Sequence, residues 1–295
     1  MKTKIFLIIA MLLSTCLTSE ARMNIFRPDK SGDKELQALI NESINKFQVE
    51  TFSDDVTGKT LQYNIRFPED YSPEKKYPVI FFIADASAAG KDSEFSLKQG
   101  YGALVWEKYN CFVIVPFYPE VILNDETAGE YVFMTERFIN YALSHYSIDT
   151  SRVYATGQSM GCMTFLLLAA KNPDLFTACL FVSGQWHINE LKGLASQKFI
   201  YITSAGDDKA STGQREVMDM FMNEGIKFDA FSEIDAKNPE LILSDTQAHT
   251  FITFKKGSTL PEEADISANY SEHMSSFDYA YRIQALRDWL FAQVK

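Results

Sequence analysis

Four short runs without a polar interruption set the plan of this chain. They are Val79–Ile83 (VIFFI), Cys111–Val115 (CFVIV), Cys179–Val182 (CLFV) and Phe199–Thr203 (FIYIT). Runs that are apolar on both faces, with helical stretches between them, predict the strands of a parallel sheet covered on both sides. Glu130–Tyr146 is one such helix, with Val132, Ile139, Ala142, Leu143 and Tyr146 on one face. Ser211–Glu224 is a second, with Val217, Met218 and Phe221 inward and Gly225 as its stop. Phe277–Gln293 closes the chain as a helix striped by Tyr279, Ile283, Leu286 and Leu290. Upstream, Phe47–Phe52 and Lys59–Phe67 read as an antiparallel pair joined by the turn residues Asp54–Gly58. In the second of these, Leu61, Tyr63, Ile65 and Phe67 alternate with Gln62, Asn64 and Arg66, the period of a half-buried strand. Asn24–Glu42 is polar and reads as a surface helix. Residues 232–272 are acidic and weakly periodic apart from a strand-like Thr250–Phe254, and read as a long loop or insertion near the active site. The fold class is α/β.

One stretch carries chemistry. Val153–Ala155 reads as a strand, Gly157-Gln158-Ser159-Met160-Gly161 follows at once, and Met163–Lys171 reads as a helix ended by Asn172-Pro173. Strand, G-x-S-x-G and helix together hold a serine on a sharp turn, with its hydroxyl clear of the sheet. The helix N-terminus beneath offers free N–H groups to a developing oxyanion. Ser159 is the candidate nucleophile.

The ends and the charge narrow the class. Lys2 and Lys4 precede an apolar Ile5–Leu13, too short to span a bilayer, and Ser19-Glu20-Ala21 offers small residues for cleavage. Residues 1–21 therefore read as a signal peptide and 22–295 as one α/β domain, secreted or periplasmic. The rival is lipoprotein processing at Cys16, which would leave a lipid anchor. Beyond the signal no run is long enough to cross a membrane. The formal net charge is −11 with no basic cluster, which argues against nucleic acid or an anionic membrane as partner. Of the remaining cysteines, Cys111 and Cys179 lie in apolar runs, and no Cys/His spacing suits zinc.

A serine hydroxyl needs a base. His145 lies at the end of a helix before the serine. His187 follows a strand and points to the pocket end of the sheet. His249 begins a strand, and His273 stands in SEHMSS, read as a loop before the last helix. On this topology the order is serine, acid, histidine, and His273 fits that order best. The acid should follow Phe199–Thr203, where Asp207 and Asp208 both stand.

These residues resemble secreted α/β-hydrolases of the polyhydroxybutyrate-depolymerase-like and predicted-peptidase-like esterase group. The stretches that carry the likeness are TGKTLQYNIRFPEDYSPEKKYPVIFFI, IDTSRVYATGQSMG, NPDLFTACLFVSG, TSAGDDKA and HMSSFDYAYRIQALRDWLFAQ. The resemblance implies an α/β-hydrolase fold, places the acid at Asp207 and the base at His273, and gives the oxyanion to the N–H groups of Met160 and Ala86. It departs in two places. Ala84-Asp85-Ala86 stands where the group carries His-Gly, and Cys162 stands where a second glycine is common. Asp85 has three readings: a charge opposing catalysis, a binder of a substrate hydroxyl or ammonium, or a cap of the turn.

The expected activity is hydrolysis of carboxylic esters of small molecules or glycan-linked groups through a Ser159–His273–Asp207 triad and an acyl-enzyme, with no cofactor or metal. The rivals are a peptidase of the same fold and a catalytically weak binding protein. Trp186, Phe117 and Tyr118 are aromatics placed to line a cleft or to pack.

Overall fold

The computed structural model describes residues 29–243, 247–261 and 271–295. The reading of residues 1–21 as a signal, and with it Cys16, lies outside these.

The chain runs α1 (Lys34–Ser43), β1 (Phe47–Ser53), β2 (Thr60–Arg66), β3 (Tyr77–Ile83), α2 (Ser93–Lys98), β4 (Phe112–Phe117) and α3 (Glu130–His145). It continues with β5 (Ile148–Gln158), α4 (Met160–Lys171), β6 (Ala178–Val182), β7 (Phe199–Ser204) and α5 (Asp208–Glu224), then β8 (Asp229–Ile234), β9 (His249–Phe254), α6 (Glu272–Arg282) and α7 (Gln284–Ala292). The strands form one sheet in the order β1-β2-β4-β3-β5-β6-β7-β9-β8. β1 and β2 pair antiparallel, as do β2 and β4, and every later pair is parallel. This is the α/β-hydrolase fold.

The all-apolar strands are explained by two cores, one on each face. On one face Phe138 of α3, Phe165 and Leu166 of α4 and Val217 of α5 pack on the sheet. On the other, Leu36 of α1, Phe277 and Tyr281 of α6 and Leu286 and Leu290 of α7 do the same. α4 has almost no exposed side: every residue from Met160 to Ala170 is buried. A helix hydrophobic all round is a central one, and its N-terminus is thereby fixed at the C-terminal edge of β5.

Four sequence readings need correction. The polar side of β2 is only partly exposed: Gln62 faces solvent, but Asn64 and Arg66 are 2% and 5% exposed. Asn64 donates to the Ser93 carbonyl, and Arg66 to the Trp106 carbonyl and to Glu107, so the segment from α2 to Glu107 covers that face. Residues 232–272 begin with the end of β8, an edge strand parallel to β9 that was not expected, while the strand-like Thr250–Phe254 is β9, which pairs with β7 over its whole length. The last helix is two, broken at Ile283, whose backbone is extended (φ −69°, ψ 103°). α5 starts at Asp208, three residues before the expected Ser211, because Asp207 caps it.

Candidate active site

Ser159 occupies the joint between β5 and α4 with φ 49° and ψ −114°. Such a conformation is costly for a residue with a Cβ and persists only where the surroundings impose it. Here two glycines do so. A Cβ on Gly161 would lie 2.0 Å from the Ile83 carbonyl oxygen, and one on Gly157 2.4 Å from the Gly161 carbonyl carbon. The start of α4 therefore rests directly on the backbone of β3 and β5. The Ser159 N–H donates to the Val182 carbonyl at 3.1 Å, and its own carbonyl accepts from Met163 at 2.9 Å. The side chain is left half-exposed at the sheet edge.

His273 meets it from α6. The expectation of a loop is wrong by one turn: Ser271 caps α6 by accepting from the Met274 N–H, so His273 lies in the first turn of the helix. Its Nε2 is 2.9 Å from Ser159 Oγ, and its Nδ1 is 2.5 Å from Asp207 Oδ2. Asp207 is 8% exposed and N-caps α5, its Oδ1 accepting from the Ala210 N–H at 3.3 Å. With the ring proton on Nδ1 and donated to Asp207, Nε2 presents a lone pair to the serine hydroxyl. Asp208 lies exposed in the first turn of α5. The structure thus brings Ser159, His273 and Asp207 into one line of hydrogen bonds. The other histidines stand apart. His145 stacks on Tyr141. His249 is buried with Nδ1 3.3 Å from the Lys227 carbonyl, and burial pushes its pKa down.

Two amides face the same edge. Met160 N–H opens α4 and Ala86 N–H opens a short 3-10 turn, Ala86–Ala88. Neither donates to a group among the described residues. The positive end of α4 adds to the first.

Asp85 is 1% exposed and turned inward. Its Oδ1 accepts from the Ser87 N–H at 3.0 Å and its Oδ2 from Gln158 Nε2 at 2.8 Å. Its carboxylate is therefore turned away from any substrate, which corrects the substrate-binding reading: of the three, the geometry is that of the cap. Gln158 was not anticipated, since nothing in the strand–turn–helix pattern says where the residue before the serine sends its amide. Cys162, the second departure, is fully buried, and burial drives its thiol well up, so it is packing and no rival nucleophile.

Past β6 the chain turns at Gly184, where a Cβ would lie 2.8 Å from the Ser159 carbonyl oxygen. Trp186 and His187 follow and, with Met163, Asp125, Gln185 and Glu216, line a pocket of about 310 Å³ one helical turn from Ser159. Trp186 is 5% exposed, with its Nε1 unpartnered among the described residues, and His187 is exposed, 3.3 Å from the Glu126 carbonyl. Tyr118 is buried on Thr135 and serves packing. A larger cavity, about 630 Å³, lies between α1 and the α6–α7 pair; neither cavity is lined by Ser159, His273 or Asp207, but Met163 of the smaller one is a helical turn from Ser159. Among the described residues no cluster of three or more His, Cys, Asp or Glu could hold a metal ion, and no helix is long and apolar enough to cross a membrane.

Residues 55–194 match the Esterase family model, described as "Putative esterase". Among solved structures, a thermostable esterase is similar with a TM-score of 0.68 and 21% identity over 85% of this chain. The chain spans 64% of the length of that esterase. A feruloyl esterase module from Clostridium thermocellum complexed with sinapinate is similar with a TM-score of 0.54 and 13% identity, over 87% of this chain and 93% of that one. An S-formylglutathione hydrolase from Staphylococcus aureus gives a TM-score of 0.51 and 11% identity, over 83% of this chain and 96% of that one. No curated protein matches the chain in sequence.

Proposed function

We propose that this protein is a serine hydrolase that cleaves carboxylic esters through an acyl-enzyme. The observation that carries the reading is Ser159, held at φ 49° with its Oγ 2.9 Å from a histidine whose other nitrogen is 2.5 Å from a carboxylate. Ser159 Oγ bonds to the ester carbonyl carbon while its proton passes to His273 Nε2. Asp207 holds the ring and stabilises the imidazolium. The carbonyl oxygen becomes an oxyanion that accepts from Met160 N–H and Ala86 N–H. The intermediate collapses, the bond to the alcohol oxygen breaks, and the His273 proton goes to that oxygen. Water then repeats the sequence with His273 as base, releasing the acid and restoring Ser159.

The match to an esterase family model over residues 55–194 supports esters over peptides. The sinapinate complex of one structural neighbour makes hydroxycinnamoyl esters a natural member of a first substrate panel, beside short-chain p-nitrophenyl and acetyl-sugar esters. The finer placement in the polyhydroxybutyrate-depolymerase-like group belongs to the same proposal, as does export, which rests on Lys2, Lys4 and the apolar Ile5–Leu13.

Fluorophosphonate labelling tests the reading. The wild type should label and Ser159→Ala should not, with turnover lost and thermal stability little changed, since alanine keeps the Cβ that the φ 49° backbone already accommodates. Labelling that survives the substitution moves the nucleophile elsewhere, and a wild type that neither labels nor hydrolyses leaves a binding protein.

A further inference from the structure

Glu272 sits beside His273 in the first turn of α6, and the motif reading gave it no role. It is 8% exposed. Ser204 donates its hydroxyl to Glu272 Oε2 at 2.5 Å, and the Gly257 N–H donates to Oε1 at 2.9 Å. The Thr259 hydroxyl lies 3.5 Å from Oε2. Ser204 ends β7 and begins the loop that carries Asp207, while Gly257 lies in the turn that follows β9. One carboxylate therefore joins the segment that bears the base to the segment that bears the acid. Gly206, the residue before Asp207, passes so close that a Cβ there would lie 1.8 Å from Glu272 Oε1.

Two other anchors of α6 do not do this. Ser276 Oγ lies 2.8 Å from Ser183 Oγ at the end of β6, and the Tyr281 hydroxyl lies 3.1 Å from Thr156 in β5. Both fix the helix to the sheet, and neither reaches the Ser204–Asp207 loop. A buried carboxylate is expensive unless its oxygens are hydrogen-bonded, and here neutral donors from the acid's own loop and the neighbouring turn supply those bonds. We propose that Glu272 is a positioning residue that locks the Asp207 loop onto the first turn of α6 and thereby sets the 2.5 Å contact between Asp207 and His273. Its effect on turnover rests on the hydrolase reading; its effect on the Asp207–His273 bond does not.

The test pairs ester kinetics with proton NMR of the His273 Nδ1–H, whose resonance lies far downfield while it is held by Asp207. Glu272→Ala should lower kcat roughly 10- to 100-fold, since a misplacement of about 1 Å costs on the order of 10²-fold, with KM within about twofold. The downfield resonance should broaden or vanish. Glu272→Gln keeps an acceptor for one of the two donors and should return kcat to within about fivefold of wild type. A Glu272→Ala protein with wild-type kcat, or one that loses kcat while the resonance stays in place, overturns the proposal. If that variant does not fold, Ser204→Ala, which removes the donor on the acid's own loop, carries the same reading: an unmoved resonance overturns it, and a shifted one supports it. If the wild type hydrolyses no ester, the hydrolase reading fails by itself, and the resonance still decides the role of Glu272.

Discussion

Adding one methyl group at Gly161 should disable the site without touching any reacting atom. The Cβ of Gly161→Ala would lie 2.0 Å from the Ile83 carbonyl oxygen and 2.6 Å from its carbon, where ordinary contact begins at 3.4 Å. The start of α4 must then withdraw from β3 by about 1.4 Å, the difference between the first and last of these distances. Both opposing atoms are backbone, so no rotamer change relieves the clash. β3 runs on into Ala84–Ala86 and α4 begins at Met160, so the withdrawal separates the two amides assigned to the oxyanion. Losing one such donor costs ~10²–10³ in kcat, about 3–4 kcal/mol of transition-state stabilisation. Overpacking a close contact costs ~1–3 kcal/mol of stability. Steady-state hydrolysis of p-nitrophenyl acetate should therefore show kcat reduced at least ~100-fold with KM little changed. A thermal melt should show Tm lower by roughly 2–12 °C, from ~1–3 kcal/mol at ~2–4 °C per kcal/mol. Gly32→Ala is the control, because nothing lies within 4 Å of its added Cβ, and it should change neither quantity. A folded Gly161→Ala protein with kcat within threefold of wild type would refute the argument that this close approach builds the oxyanion site.

The acid can be located by a pair of substitutions. Asp207→Asn should lower kcat by ~10⁴ through the wrong ring tautomer, while Asp208→Asn, exposed in the first turn of α5, should leave it near wild type; ester kinetics with the opposite order would move the acid by one position. His249 gives a pH signature in stability. Burial lowers its pKa below the ordinary 6.5, so below pH 6.5 the unfolded chain binds the proton first, and stability falls as pH drops through that value. The Tm of the wild type should decline from pH 7 to pH 5, and His249→Phe, placed between Phe199 and Phe221, should decline less; equal slopes would remove His249 as the cause.

The parallel strands were legible because burial on both faces leaves an unbroken apolar run, and the serine's turn was legible because its glycines are dictated by backbone contact. What the sequence hid depended on partners far along the chain. Asn64 and Arg66 look like the outward half of an alternating strand, and they are buried because the Ser93 and Trp106 carbonyls happen to receive them. β8, Asp229–Ile234, is a half-exposed edge strand, which needs no apolar run and left none to read. His273 was placed in a loop because SEHMSS is polar, although Ser271 is an N-cap and starts the helix there. Asp85 looked chemically alarming for want of Gln158 and Ser87, the two donors that hold it inward. Glu272 carried no signal at all, since its partners lie 68 and 15 residues away.

The placement of the base on α6 also sets a clock. Ser159 precedes His273 by 114 positions and Asp207 precedes it by 66. At a synthesis rate of ~5–20 residues per second, the nucleophile is made roughly 6–23 s before its base. By the end of that interval the nascent chain holds the serine turn, the acid and the sheet, yet still lacks the base assigned to take the hydroxyl proton. On the proposed mechanism the growing polypeptide is silent toward the esters around it until its last helices dock. Stalled chains ending before α6 should neither turn over substrate nor react with a fluorophosphonate, and release of the remaining residues should switch on both together.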